Sequence, residues 1–353
     1  MTLTVLSVAY ALAPVAPDTA GGAEQVLLEL DRALVHAGHH SLVIAAAGSQ
    51  IVGDLIATSQ LPPRFSDAAR RQIQRCQRLR IEEALQRWEI DLVHAHGSDF
   101  AEHLPHCGVP TLVTLHMPTE NYPTEAMLAR GPETYFNCVS ASQRRRFPRI
   151  AAMLPEIENG VPVDELQARH AQRNFAVALG RICPEKGFHH ALDAAGRAQV
   201  PLLLAGHVFP YEYHQRYFDD EIRRRLSSQA RFLGAIGFAR KRRLLTAARC
   251  LLVPSLVPET SSLVAMEALA CGTPVVAFPA GALAEIIEPG VTGFLVDDTE
   301  QMAEAIPAAA RLDREHCRAV ARRRFPVERM VARYFVLYHQ LTRRGTPGQR
   351  CSA

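Results

Sequence analysis

Two carboxylates eight residues apart, Glu259 and Glu267, stand in the segment PETSSLVAMEALAC, and Glu267 is the sole charge between Leu263 and Cys271. Good helix formers, a Ser261-Ser262 start whose hydroxyls can cap free N–H groups, and a Gly272 stop followed by Pro274 predict a short, mostly buried helix there. An ionised carboxylate inside such a helix needs an internal cation, a proton, or a ligand that donates hydrogen bonds to it. Glu259 falls in the loop feeding the helix, so both acids can face one pocket at the carboxyl edge of a parallel sheet. Two cations, Arg181 and Lys186, flank ICPE between the strand VALG and the next helix. Aimed at the same edge, they suit a diphosphate and the charge that develops as it leaves. Gly21-Gly22 lets the backbone approach a ligand closely and opens a helix expected over Ala23-Leu34. His116 ends a buried strand, while His94 and His96 alternate along another and share a face; with no third ligand at a known spacing, the last two are read as structural. Each feature alone also has an ordinary reading: an ion pair for Glu267, a loop acid beside a serine cap for Glu259, a charged loop for Arg181 and Lys186, a turn for Gly21-Gly22.

The elements that must position these groups follow from patterning. With 353 residues, 48% of them hydrophobic, the chain can fill two domains. Apolar, β-branched runs alternate with helical stretches: Val5-Ala9, Ser41-Ala45, Leu92-Ala95, Thr111-Leu115 and Phe136-Ser140, then Ala176-Leu179, Leu202-Ala205, Arg231-Leu233, Cys250-Val253, Val275-Ala277 and Gly293-Val296. This α/β alternation predicts parallel sheets covered on both faces. It restarts after the turn-rich Glu158-Asn159-Gly160-Val161-Pro162, which predicts two Rossmann-like domains, 1–165 and 166–325. A helical segment over 326–343 carries apolar Met330, Tyr334, Leu337 and Leu341 and needs a surface to pack on; residues 344–353 are expected to be a disordered tail.

A formal net charge of +3 argues against a dedicated nucleic-acid binder. The arginine groups at 71–80, 143–149, 239–243 and 321–325 read as solvated helix faces, with weak peripheral membrane contact as the alternative. Eight cysteines, scattered without a C-x-x-C pair, read as reduced thiols of a cytoplasmic protein. No basic leader and no run of eighteen apolar residues appears, so neither secretion nor a membrane span is expected. The absence of G-x-G-x-x-G after the first strand counts against a dinucleotide-dependent dehydrogenase. No Asp-x-Asp closes a predicted strand, and Asp219-Asp220 and Asp297-Asp298 read as solvated pairs, so no metal ligand is expected.

Taken in order, Gly21-Gly22-Ala23-Glu24, TLVTLH ending at His116, VSASQRR at 139–145, ENGVPVDE at 158–165, GRICPEKG at 180–187, RFLG at 231–234 and PETSSLVAME resemble the landmarks of family 4 glycosyltransferases of the GT-B architecture. The resemblance spans nearly the whole chain. It implies two Rossmann-like domains whose parallel sheets face a central cleft, with the last helix returning to the N-terminal domain. It further implies a retaining, metal-independent transfer of a hexose-type sugar from a UDP- or GDP-linked donor, which is a co-substrate, so that no cofactor is needed. By the same resemblance Glu267 accepts hydrogen bonds from the ribose hydroxyls, and Glu259 holds hydroxyls of the donor sugar. The N–H groups of Ser261, Ser262 and Leu263 surround sugar and diphosphate, and Arg181 and Lys186 stabilise the departing diphosphate. Gly21 and Gly22 meet the phosphates from the opposite domain, His116 faces the sugar, and the backbone near Gly234 and Ile236 contacts the base. The acceptor, whether small molecule, glycan or lipid-linked, is not legible; its loop is expected over Tyr10-Thr19. Thr260-Ser261 stands where many relatives have Phe-Gly, and Met117 where an Asp is frequent. A nucleotide-sugar epimerase of the same fold and a non-catalytic nucleotide-sugar-binding protein are the alternatives.

Overall fold

The structure is a computed structural model, and it describes residues 2–344 except 20, 63–65, 105, 107, 148–149 and 169. Of the expected tail at 344–353, Arg344 is the last residue of the final helix; 345–353, Cys107 and Arg149 lie outside the described residues. The chain divides into two compact units, one formed by Met1–Glu158 with Glu328–Ala353 and the other by Asn159–Val327.

The first unit is built on β1 (Thr4–Val8), β2 (His40–Ala45), β3 (Asp54–Ala57), β4 (Leu92–Ala95), β5 (Thr111–Leu115) and β6 (Thr134–Cys138). All pair in parallel, in the order β3-β2-β1-β4-β5-β6. The second unit repeats the plan with β7 (Ala176–Leu179), β8 (Leu202–Ala205), β9 (Ala230–Phe232), β10 (Leu251–Val253), β11 (Val275–Ala277) and β12 (Gly293–Leu295), in the order β12-β11-β10-β7-β8-β9. Numbered from its own first strand, each sheet reads 3-2-1-4-5-6, the doubly wound order. The order reverses between β1 and β4 in one unit and between β7 and β10 in the other. In such sheets the connections leaving those two central strands diverge and open a crevice at their carboxyl ends.

The alternation predicts eleven strands, and the described residues form twelve. The addition, β3, is an edge strand whose residues are mostly exposed, so it lacks the apolar run that marks its neighbours. The strand expected to reach Ser140 stops at Cys138, because Ser140 leaves the ladder and its hydroxyl accepts from the Gln143 N–H to cap helix Ala141–Arg146. The first long helix runs Gly22–His36, slightly beyond its expected span.

The second unit begins at Asn159, not at 166. Val161 N–H donates to the Phe325 carbonyl and Val327 N–H to that of Val161, while Val163 and Leu166 are buried among Val177, Leu251 and Leu269. The ENGVPVDE segment is thus the first part of the second core. The final helix, Val327–Arg344, belongs with the first unit from Glu328 onward. Its buried Tyr338 hydroxyl lies 2.7 Å from His94 Nδ1, and its buried Tyr334 hydroxyl 3.3 Å from both Thr114 and Asn137. Two polar rings in a core need partners, and the sheet supplies them.

Candidate functional site

In the second unit the helix over Leu263–Ala270 forms as expected, and Ala265 through Ala270 are buried. Ala265, Met266, Ala268 and Leu269 pack with Val177, Leu251 and Val275 beneath the sheet. Glu267 is buried with them, and Lys241, from helix Phe238–Ala247, reaches it: Nζ stands 2.5 Å from Glu267 Oε1. Lys241 also lies 5.6 Å from the centroid of the Phe238 ring. The carboxylate therefore has the internal cation that its burial requires, the lysine of an adjacent helix.

Glu259 is held by its backbone and its side chain together. Its N–H donates to the Ala280 carbonyl, its own carbonyl accepts from the Ala282 N–H, and Gly281 sits against it. At Gly281 φ is +63°, and a Cβ would collide with the Glu259 backbone, so this position needs glycine. The Glu259 carboxylate accepts from the Ser255 hydroxyl and pairs with Lys186 at 2.6 Å. Lys186 arrives there because the turn Pro184–Lys186 is pinned to the loop after β10: Leu256 N–H donates to the Glu185 carbonyl at 2.8 Å. Gly187, at φ +62°, lets the two backbones touch, since a Cβ would strike the Pro254 carbonyl.

These loops leave β7 and β10, the two strands that flank the point of reversal. Arg181 is on the first of them and makes no side-chain hydrogen bond or ion pair among the described residues. The start of helix Leu263–Ala270 differs from the capped end expected: Ser262 is the N-cap residue but makes no side-chain cap, and the Ser261 hydroxyl is buried without a partner. The N–H groups of Ser261, Ser262 and Leu263 likewise have no partner among the described residues. Three cations, two carboxylates and a helix start with free N–H groups leave this edge electropositive, which suits an anion. Gly234 and Ile236 follow β9 in the same unit; Gly234 accepts from the Gly206 N–H, and Ile236 packs against the core.

The remaining sequence candidates lie in the first unit. Gly21 is the N-cap residue of helix Gly22–His36, and a Cβ there would collide with the carboxylate of Glu24. A side-chain anion thus already lies over the helix start where a phosphate was expected. His116 follows β5, stacks on His96 with ring centroids 5.3 Å apart, and places Nε2 3.1 Å from His96 Nδ1. Burial pushes the His116 imidazole down to about 3 and that of His96 well below its ordinary value, so both are neutral and one donates to the other. His94 uses both ring nitrogens, on Tyr338 and Thr114 at 2.7 Å each, which fixes it as structural.

The structure brings Arg181, Lys186, Glu259, Ser261, Ser262, Leu263 and Glu267 to one sheet edge. Sequence reasoning missed Lys241 and Ser255. A signal for the lysine was present, because the chain has only two lysines, 186 and 241, and each holds one of the two acids. Asp219, Asp220, Asp297 and Asp298 are all exposed, as expected of solvated pairs; Asp219 and Asp220 also pair with Arg223 and Arg224 one turn on, and Asp298 caps helix Thr299–Ala309. Among the arginine groups, Arg78 and Arg80 pair with Glu82 and Glu83, and Arg322 with Glu315. Among the described residues no helix is long and apolar enough to cross a membrane.

Residues 20–160 match the family profile described as Glycosyltransferase Family 4, and residues 173–311 match the one described as Glycosyl transferases group 1. A phosphatidyl-myo-inositol mannosyltransferase of Mycobacterium leprae is 26% identical over 335 residues, covering 86% of this chain and 87% of the relative. A D-inositol 3-phosphate glycosyltransferase of Mycobacterium bovis is 35% identical over 160 residues, 43% of this chain and 31% of the relative. In fold, the chain is similar to AviGT4, a glycosyltransferase involved in avilamycin A biosynthesis, at a TM-score of 0.72 and 22% identity, covering 97% and 98% of the two chains. It is also similar to Anabaena HepE in complex with UDP-glucose, at 0.73 and 20%, covering 96% and 100%.

Proposed function

The chain belongs to the family 4, group 1 glycosyltransferases, enzymes of the GT-B fold, and from that premise we propose that it transfers a hexose-type sugar from a UDP- or GDP-linked donor with retention of configuration. The observation that carries the donor site is the joining, at the reversal point of the second sheet, of the Lys186–Glu259 pair with Arg181 and with a helix start whose N–H groups have no partner among the described residues.

In this reading the diphosphate lies against the N–H groups of Ser262 and Leu263, with Arg181 and Lys186 neutralising it and stabilising the charge that grows on the leaving oxygen. Glu259, held from behind by Ser255 and the 280–282 segment, accepts hydroxyls of the sugar through its second oxygen. Glu267 accepts the two ribose hydroxyls while Lys241 keeps its charge from being stranded in the core. Gly234 and Ile236 offer backbone to the base. The acceptor attacks the face from which the diphosphate departs, and a phosphate oxygen takes the acceptor's proton. Because Arg181, Lys186 and a helix start already face the diphosphate in this reading, no magnesium is needed there. The HepE structure holds UDP-glucose, so uridine-linked donors come first in the test, with guanosine-linked ones beside them. His116, neutral and fixed by His96, is assigned to the sugar, and the first unit to the acceptor. A thermal-shift panel of UDP-, GDP- and ADP-sugars, with and without added magnesium, tests the reading. One nucleotide class raises the melting temperature equally in both conditions; a response to none of them, or one that requires magnesium, contradicts it.

A further inference from the structure

Outside the groups assigned above, three potential metal ligands converge beside the loop that carries Arg181 and Lys186. Cys183 Sγ, a carboxylate oxygen of Glu185 and a ring nitrogen of His214 all lie within 4.8 Å of one another. Cys183 and His214 are both only 2% exposed. His214 Nδ1 and Glu185 Oε2 are each buried without a hydrogen-bond partner, although imidazole and carboxylate are groups that a core ordinarily satisfies. Two orphaned polar atoms and a thiol facing one another lack something that would bind all three.

The backbone that carries these side chains is fixed before any ligand arrives. Cys183 opens the turn Pro184–Lys186, with Lys186 N–H bonded to its carbonyl, and the Glu185 carbonyl is held by Leu256 N–H. His214 sits on the short helix Glu212–Tyr217, where its N–H bonds the Tyr211 carbonyl. The two loops are tied to each other by Ile182 N–H, which donates to the His207 carbonyl at 2.9 Å. The rings of Phe209, Tyr211 and Tyr213 surround His214. In a tetrahedral site with bonds of about 2.0–2.3 Å, ligand atoms stand roughly 3.3–3.7 Å apart. Side-chain rotation of about an ångström closes the present triangle to that size.

We propose that Cys183, Glu185 and His214 bind one zinc-class divalent ion, with the fourth coordination position open to water. Thiolate and imidazole together select a borderline metal, whereas magnesium and calcium take oxygen ligands. On binding, the Cys183 thiol releases its proton and its weak contact with the Arg181 carbonyl gives way to a metal–sulfur bond. The ion joins the loop after β7 to the one after β8 and so holds the turn bearing Lys186. It shares no ligand with the diphosphate site, and its detection needs no donor, so failure here leaves the proposed transfer untouched and the reverse also holds.

The test is a titration of the chelator-treated full-length protein with Co2+, followed by displacement with Zn2+. One equivalent of Co2+ is expected to give a thiolate-to-cobalt charge-transfer band that Zn2+ abolishes. Cys183→Ser removes the band, His214→Gln and Glu185→Gln weaken binding at least tenfold, and Cys76→Ser, a thiol in the other unit, changes nothing. If Cys183→Ser does not fold, the histidine and glutamate variants carry the result through metal content by mass spectrometry of the intact protein. No charge-transfer band at saturating cobalt, or binding unaltered in His214→Gln and Glu185→Gln, overturns the proposal.

Discussion

Glu267 has two tasks in this account, and a double-variant experiment separates them. Its partner Lys241 lies 2.5 Å away, the lysine side chain 20% exposed and the glutamate 5%. Lys241→Met strands a carboxylate in the core, at a cost of about 3–5 kcal/mol. For a unit spanning Asn159–Val327 that corresponds to a fall in melting temperature of roughly 6–20 °C. Glu267→Gln leaves the lysine, which is partly exposed and rehydrates, so its cost is smaller, about 1–2 kcal/mol. The combination Glu267→Gln with Lys241→Met replaces the ion pair by neutral groups of similar size and is expected within about 1 kcal/mol of the parent. Donor binding does not recover with stability. A carboxylate accepting two hydroxyls contributes about 1.5–3 kcal/mol per charged hydrogen bond, so the stable double variant loses at least about 100-fold in donor affinity. Chemical denaturation with calorimetric titration of the donor reads both quantities. A double variant that is stable and binds donor as the parent does would refute the ribose role and leave Glu267 a structural acid.

Arg181→Ala is expected to change stability by less than about 0.5 kcal/mol, because the side chain makes no ion pair among the described residues, while lowering turnover at least tenfold; parallel melting and rate measurements check this. Gly187→Ala forces φ +62° on a residue with a Cβ and drives that atom into the Pro254 carbonyl, so a loss of more than about 1 kcal/mol is expected in urea unfolding. Stability should also fall as pH drops below 6.5. The folded-state values of His116 and His103 are held down at about 3, so the unfolded chain binds the extra protons between those limits. Each contributes up to about 1.4 kcal/mol per pH unit at full slope; Asp99, raised by burial to about 6, opposes them between about pH 6 and 4, and His116→Asn should flatten the curve of melting temperature against pH.

The repeated strand–helix alternation was legible because both sheets are buried on two faces, and such strands read as plain apolar runs. The exception, Asp54–Ala57, pairs at an edge, mostly exposed, where nothing forces that pattern on its residues. The two acids and the loop cations were legible from type and placement, since a lone charge on an apolar helix demands a partner. Which partner was not. Lys241 lies 26 residues before Glu267 on a helix whose sequence, ARKRR, reads as a solvated basic face, and only packing turns that lysine inward. That the serine pair leaves its own helix uncapped was not legible either, because whether a hydroxyl bonds its own helix or points away is decided by its rotamer. Tyr338 and His94 meet across 244 residues of sequence, a separation at which local pattern carries no information.

The most direct test of the donor site is a crystal structure of the protein with a bound nucleoside diphosphate sugar, without added metal. Diphosphate oxygens are expected at hydrogen-bond distance, about 2.7–3.2 Å, from the N–H groups of Ser262 and Leu263 and from Arg181, with both ribose hydroxyls on Glu267. A diphosphate held elsewhere, or a ribose turned away from Glu267, would contradict this assignment.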